Sequence, residues 1–115
     1  MIMKLTAKTH AILDYIVVIF LLMSPSLFHL PATTAIFTYV LGVVHLSLTA
    51  LTDFPLGVFK VIPFKVHGAI ELLVSGSLVA AAFILAQIDG TIAKTFYLSF
   101  AAVVFLTWLI SDYKR

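Results

Sequence analysis

The chain has 115 residues, of which 63% are hydrophobic and only 10% are charged, and its mean hydropathy is +1.19. Soluble domains are typically about half apolar and about a quarter charged, and a domain this small has too little interior to bury so much apolar surface. The chain contains no cysteine, which excludes disulfides, thiolate metal sites and thiol catalysis. This composition predicts an integral membrane protein.

Four apolar stretches are each long enough to cross a bilayer core, which is about 30 Å thick and takes roughly 20 helical residues to span. We expect helices, because backbone polar groups in lipid must be paired within their own segment. In chain order the predicted spans are residues 9–30, 34–52, 67–88 and 95–112. The sequence therefore predicts one all-α membrane domain, residues 1–115, built as a four-helix bundle. It leaves the oligomeric state open, with a homodimer as one option.

Short connections join the spans in pairs. Pro31 lies between the first two spans, and Asp89 and Gly90 lie between the last two. Such residues are typical of turns. They predict two transmembrane hairpins, residues 1–54 and residues 67–115.

The connection between the hairpins, residues 55–66, has an unusual composition. Pro55 and Pro63 argue against a continuous helix there. Several apolar residues alternate with Lys60 and Lys65, which suggests a segment lying at the level of the lipid headgroups. An ordinary apolar loop packed under the bundle explains the same residues, so both interpretations stay open.

The basic residues predict the orientation in the membrane. One side of the four-span arrangement carries a single basic residue, Lys94, and the other side carries six: Lys4, Lys8, Lys60, Lys65, Lys114 and Arg115. Cytoplasmic loops are enriched in Lys and Arg, so we expect both termini and residues 55–66 on the cytoplasmic side of the inner membrane. The basic residues are not clustered with stacking aromatic side chains, and a nucleic-acid partner is not expected.

The two halves of the chain resemble each other. Residues 9–15 (THAILDY) align with residues 66–72 (VHGAIEL), and residues 52–54 (TDF) align with residues 111–113 (SDY). Each half contains two spans, so both halves enter the membrane from the same side. The pattern predicts a parallel internal repeat with a pseudo-twofold axis along the membrane normal.

The repeat singles out candidate site residues near the cytoplasmic ends of the first and third spans: His10, Asp14, His67 and Glu71. Each histidine lies four residues before its carboxylate, and residues at this spacing share one helix face. Ionisable groups within spans are costly and usually face the bundle interior. The four side chains are therefore predicted to converge at one depth, with Asp53 and Asp112 at the cytoplasmic rim.

Several roles are compatible with this set of residues. A His-carboxylate network can hold helices together without any ligand, in a structural or partner-binding membrane module. The same nitrogen and oxygen donors suit a divalent metal such as zinc, iron or manganese. A proton relay is a third interpretation, extended by the deeper His45, and haem held between His10 and His67 is a fourth. No catalytic motif is present, so enzymatic activity is not predicted.

A family resemblance supports the hairpin organisation. Three stretches carry it: THAILDY, the run LLMSPSLF at residues 21–28, and LTDFPLGVFKVIPFKVHGAIE at residues 51–71. Through them the chain resembles small bacterial membrane proteins related to the SPW-repeat group. The resemblance implies paired transmembrane hairpins with a Ser-Pro turn near the outer end of a span, and it implies no known activity.

Overall fold

A computed structural model describes residues 4–113 of the chain. It contains four α-helices: α1 (Ala7–Leu27), α2 (Ala32–Leu51), α3 (Phe64–Asp89) and α4 (Thr91–Ile110). Each helix is long and apolar enough to cross a membrane. The predicted all-α four-helix bundle is confirmed, and its composition is that of a multi-pass membrane protein.

The helix ends differ from the predicted spans by up to four residues, for local reasons. Helix α1 begins after Thr6, whose side chain accepts a hydrogen bond from the N–H of Thr9 at 3.2 Å, as N-cap residues do. It ends at Leu27, before His29 takes a positive φ of 50°. Gly90, with a φ of 88°, is the single residue between α3 and α4, because glycine adopts such angles without steric cost.

The helices pack as two hairpins. Helix α1 packs mainly against α2, α3 packs mainly against α4, and α2 also contacts α3. Gly42 lies where α2 meets α1, and a Cβ atom there would lie 2.8 Å from Leu22 Cδ2. The main apolar core is made by these buried residues: Leu21, Leu78, Ala82, Leu85, Ala93, Tyr97, Phe100 and Ala101. Small residues allow the close approach that membrane helices need.

The outer surface of the bundle is apolar. Large hydrophobic side chains on all four helices are exposed, including Ile16, Ile19, Val40, Val43, Leu73, Ile84, Leu106 and Leu109. An apolar groove of about 560 Å³ also opens between α1 and α4. Exposed patches this large mark contact with a membrane or a partner, and four helices of this length and hydropathy fit a lipid bilayer.

Two short parallel pairings fasten the helix ends together at one end of the bundle. Strand β1 (Thr52–Asp53) pairs with strand β2 (Ile62–Pro63), and Leu5 forms a similar bridge with Ser111. The first pairing joins the end of α2 to the start of α3, and the second joins the start of α1 to the end of α4. The starts of α1 and α3 and the ends of α2 and α4 therefore lie together.

The connection between the hairpins is buried at its two ends and exposed in its middle. Phe54, which follows strand β1, is buried together with Phe64 under the bundle. Val58, Phe59 and Val61 are instead about two-thirds exposed. Their backbone N–H groups donate to carbonyl groups in the last turn of α2, so this part of the loop folds back along the helix.

Candidate functional site

The four side chains that the repeat singled out meet at the end of the bundle. His10, Asp14, His67 and Glu71 each direct one nitrogen or oxygen atom toward the others, and these atoms all lie within 4.8 Å of one another. All four residues are at most 4% exposed. We call this set the His-carboxylate cluster.

The inner face of the cluster consists of two imidazole nitrogens and two carboxylate oxygens. Glu71 Oε1 lies 2.7 Å from His10 Nε2 and 2.9 Å from His67 Nε2. Asp14 Oδ2 lies 3.0 Å from His67 Nε2 and 3.4 Å from His10 Nε2. Both Nε2 atoms therefore face the same two carboxylates.

Ser111 holds the outer nitrogen of one imidazole. Its hydroxyl donates its single proton to the Thr107 carbonyl oxygen at 2.5 Å, so Oγ is left as an acceptor. His10 Nδ1 lies 2.7 Å from that oxygen and must carry the hydrogen. The hydrogen-bond network thus assigns the Nδ1–H form to His10.

Thr52 holds the outer nitrogen of the His67 imidazole in the same way. Its hydroxyl donates to the Leu48 carbonyl oxygen at 2.6 Å and accepts from His67 Nδ1 at 2.7 Å. Both histidines are therefore fixed from behind, with Nε2 pointing inward. Metal-binding histidines are commonly oriented in this way, through a hydrogen bond from the other ring nitrogen.

The outer oxygens of the carboxylates have different neighbours. Tyr113 donates to Glu71 Oε2 at 2.7 Å. Burial and, second, the Glu71 carboxylate raise the pKa of Tyr113, so the phenol stays protonated and remains a donor. Asp14 Oδ1 faces His45 Nε2 at 3.7 Å, which is too long for a hydrogen bond.

Two buried polar atoms have no hydrogen-bond partner among residues 4–113: Asp14 Oδ2 and His45 Nε2. The first faces the centre of the His-carboxylate cluster. It forms ion-pair contacts with His67 Nε2 at 3.0 Å and with His10 Nε2 at 3.4 Å, and neither contact meets the geometry of a hydrogen bond. Buried polar atoms without a hydrogen bond are uncommon, and an ion that occupies the site is one of the accepted explanations for such an atom.

An aromatic layer closes the cluster at the end of the bundle. The Phe64 ring lies 5.2 Å from the His10 ring, and the Tyr113 ring lies 5.6 Å from it. Phe54 covers the other imidazole, with its ring 5.5 Å from His67. This layer lowers the access of water and strengthens the electrostatic interactions inside.

The other predicted site residues lie around the cluster. Asp53 and Asp112 are at the same end of the bundle, as expected, but neither belongs to the group of four within the described part of the chain. His45 approaches Asp14 from α2. Thr52 and Ser111 were not among the predicted site residues, although the aligned TDF and SDY segments contain them.

The geometry does not suit haem. A haem iron bound by two histidines would need His10 Nε2 and His67 Nε2 on opposite faces of one porphyrin. Glu71 Oε1 instead lies within hydrogen-bond distance of both atoms. The arrangement suits a small cation or shared protons.

Comparisons with known proteins add no further information on the site. No family model matches the chain, and neither the curated proteins nor the solved structures include a significant match. The function of this protein is therefore inferred from the geometry of the cluster.

Proposed function

We propose that this multi-pass membrane protein binds one divalent first-row transition-metal ion in the His-carboxylate cluster. The observation that carries the proposal is the position of Asp14 Oδ2. This buried oxygen has no hydrogen-bond partner among the described residues, yet it lies 3.0 and 3.4 Å from two inward-facing imidazole nitrogens. A metal ion at the centre would satisfy all three atoms at once.

The distances support this assignment. Ligand atoms at about 2.0–2.1 Å from a tetrahedral zinc ion lie about 3.3–3.4 Å from one another. The four N···O distances in the cluster range from 2.7 Å, for His10 and Glu71, to 3.4 Å, for His10 and Asp14. To hold a tetrahedral metal ion, His10 Nε2 and Glu71 Oε1 would have to separate by about 0.6–0.7 Å, whereas His10 Nε2 and Asp14 Oδ2 already lie at the required distance. Imidazole and carboxylate donors suit zinc, iron and manganese.

Charge balance also favours a divalent ion. Nδ1 of His10 and of His67 already carries hydrogen, so each Nε2 holds either a second proton or a free lone pair. If both Nε2 atoms carry a free lone pair, the imidazoles are neutral and the two carboxylates give the site a charge of −2. A divalent cation neutralises that charge. A buried charge is tolerated only when it is compensated in this way.

The alternative is a purely structural network, and one observation favours it. Protons on both Nε2 atoms would make two imidazolium ions, which balance Asp14 and Glu71 without any metal. The short contacts from Glu71 Oε1 to both histidines suit such hydrogen bonds. In that case the cluster only holds α1 and α3 together.

The topology completes the proposal. We place both termini in the cytoplasm, because Lys4, Lys8, Lys60 and Lys65 lie at the cluster end of the bundle and Lys94 lies at the start of α4. Lys114 and Arg115, which also contributed to the predicted orientation, lie outside the described residues.

We also propose an internal repeat, supported by the equivalent buried positions on α1 and α3. The relation to the SPW-repeat group is likewise a proposal.

The test is the metal content of the protein purified in detergent. We expect about one metal ion per chain by elemental analysis, and its loss in the double variant His10→Ala/His67→Ala. The variant His29→Asn is the matched control, because His29 is exposed at the opposite end and asparagine tolerates its positive φ. Metal-free wild-type protein that also fails to take up zinc, iron or manganese would leave the structural network as the function of the cluster.

A further inference from the structure

A small cavity adjoins the His-carboxylate cluster on the loop side. It measures about 270 Å³ and is lined by Asp53, Pro63, Phe64, Lys65 and Tyr113. Two of these residues, Phe64 and Tyr113, also contact the His10 ring. A single layer of aromatic side chains therefore lies between the cavity and the cluster.

The two shared aromatic residues are held differently. Phe64 is 3% exposed and belongs to the first turn of α3. Tyr113 lies beyond the end of α4 and is partly exposed. The preceding residue, Asp112, donates a backbone hydrogen bond to the carbonyl oxygen of Leu5. Rotation of the Tyr113 side chain would not disturb a helix, whereas displacement of Phe64 would.

Gly68 provides the space in which the Tyr113 ring rests. A Cβ atom at Gly68 would lie 2.9 Å from Tyr113 Cδ1 and from Tyr113 Cε1. That separation is far shorter than a normal carbon–carbon contact of about 3.5–4.0 Å. The hydroxyl group at the far end of the ring bonds to Glu71 Oε2 at 2.7 Å, so the closed position of Tyr113 also orients a predicted metal ligand.

We propose that a metal cation enters the His-carboxylate cluster from this cavity and that the Tyr113 side chain closes the passage. Tyr113 is thus a positioning residue for Glu71 and the movable part of the aromatic layer. This inference rests on the proposed function, because the passage serves a metal ion that binds in the cluster. The closure itself is a property of the protein that can be measured without metal.

The closure can be tested with a single cysteine, since the chain has none of its own. Ala11 is 0% exposed and packs in the apolar group that includes Phe54, Phe64 and Tyr113. We would introduce Ala11→Cys and measure its rate of reaction with a cationic methanethiosulfonate reagent. Phe59→Cys, at an exposed position of the loop that does not line the cavity, is the control and should react at the same rate in every background.

We expect Ala11→Cys to react slowly when Tyr113 is present. The rate should rise with Tyr113→Phe, which loses only the hydrogen bond, and rise further with Tyr113→Ala, which removes the ring. Loss of one hydrogen bond to a charged group should raise the fraction of molecules with the passage open by about tenfold or more. Gly68→Ala, which displaces the ring without removing it, should also accelerate the reaction. Equal rates in all four backgrounds would overturn the proposal.

A second measurement separates this inference from the proposed function. Release of bound zinc to a chelator, followed by stopped flow, should be at least about tenfold faster in Tyr113→Ala than in the wild type. If the wild-type protein binds no metal but the labelling rates differ as expected, metal binding fails and the closure stands. If metal binds and neither the labelling nor the release rate responds to Tyr113, the entry route fails and metal binding stands.

Discussion

Ser111 accepts a hydrogen bond from His10, so a residue at the end of α4 fixes an imidazole at the start of α1. Thr52, at the end of α2, fixes His67 at the start of α3 in the same way. The inward direction of both Nε2 atoms depends on these two hydroxyl groups. Each hydroxyl in turn is oriented by a carbonyl group four residues earlier in its own helix.

The first prediction concerns these hydroxyl groups. Ser111→Ala and Thr52→Ala should each weaken metal binding by about 10–100-fold, the usual effect of removing a partner that orients a metal ligand. The measurement is the zinc dissociation constant by competition with a chelator. Ser111→Thr and Thr52→Ser keep the hydroxyl and should bind like the wild type. Full affinity in both alanine variants would show that the hydroxyl groups do not orient the ligands.

The second prediction compares the two carboxylates in metal-free protein. Glu71 accepts hydrogen bonds from His10, His67 and Tyr113, whereas Asp14 Oδ2 accepts none from the described residues. Removing one charge from a buried ion pair typically costs about 3–5 kcal/mol. Glu71→Gln should therefore lower the free energy of unfolding by about that amount, and Asp14→Asn should lower it less. Unfolding in mixed detergent micelles measures both, and the reverse order would contradict the assigned hydrogen bonds.

The third prediction concerns stability at alkaline pH. The pKa of Tyr113 is raised above the value of 10.0 that the unfolded chain is expected to have, so the folded protein retains a proton that the unfolded protein loses. This stabilisation is present below pH 10 and declines as the pH rises above it. Wild-type protein should therefore lose more stability between pH 9 and pH 11 than Tyr113→Phe does, in thermal unfolding over about that range. Parallel curves for the two proteins would argue against a Tyr113 that keeps its proton in the folded state.

The fourth prediction concerns the middle of the bundle. Thr38 donates to the Thr34 carbonyl oxygen, so the Tyr97 hydroxyl donates to Thr38 Oγ1, at 2.5 Å. Interhelical hydrogen bonds in membranes contribute about 0.6–2 kcal/mol. Tyr97→Phe should lower the free energy of unfolding by that amount, whereas Tyr39→Phe, at an exposed position, should change it little. The two variants can be compared by unfolding in the same detergent mixture.

The sequence predicted the helices and the four cluster residues for identifiable reasons. The length of each apolar run determines a membrane span, and a spacing of four residues determines a shared helix face. The parallel order of the two halves then brings His10 and His67 to one depth. These properties depend on local periodicity and on the order of the spans, which a sequence shows directly.

The residues that support the cluster were harder to predict. The TDF and SDY segments drew attention to Asp53 and Asp112 because carboxylates are more obvious ligands than hydroxyl groups. Which side chain of such a segment faces inward depends on where α2 and α4 end, and a boundary shift of one residue changes the answer. The role of Tyr113 depends on its packing against Gly68, a distant residue in the chain, and no sequence periodicity indicates that contact.

Each half of the chain supplies the hydroxyl group that orients the histidine of the other half, and this affects what happens when the chain is cut between the hairpins. Each hairpin contains a histidine and a carboxylate, but the group that orients its imidazole belongs to the other hairpin. A chain cut in the exposed loop near Phe59 would therefore give two fragments that each lack part of the cluster. The cluster would form again only when the two fragments associate side by side, each completing the other.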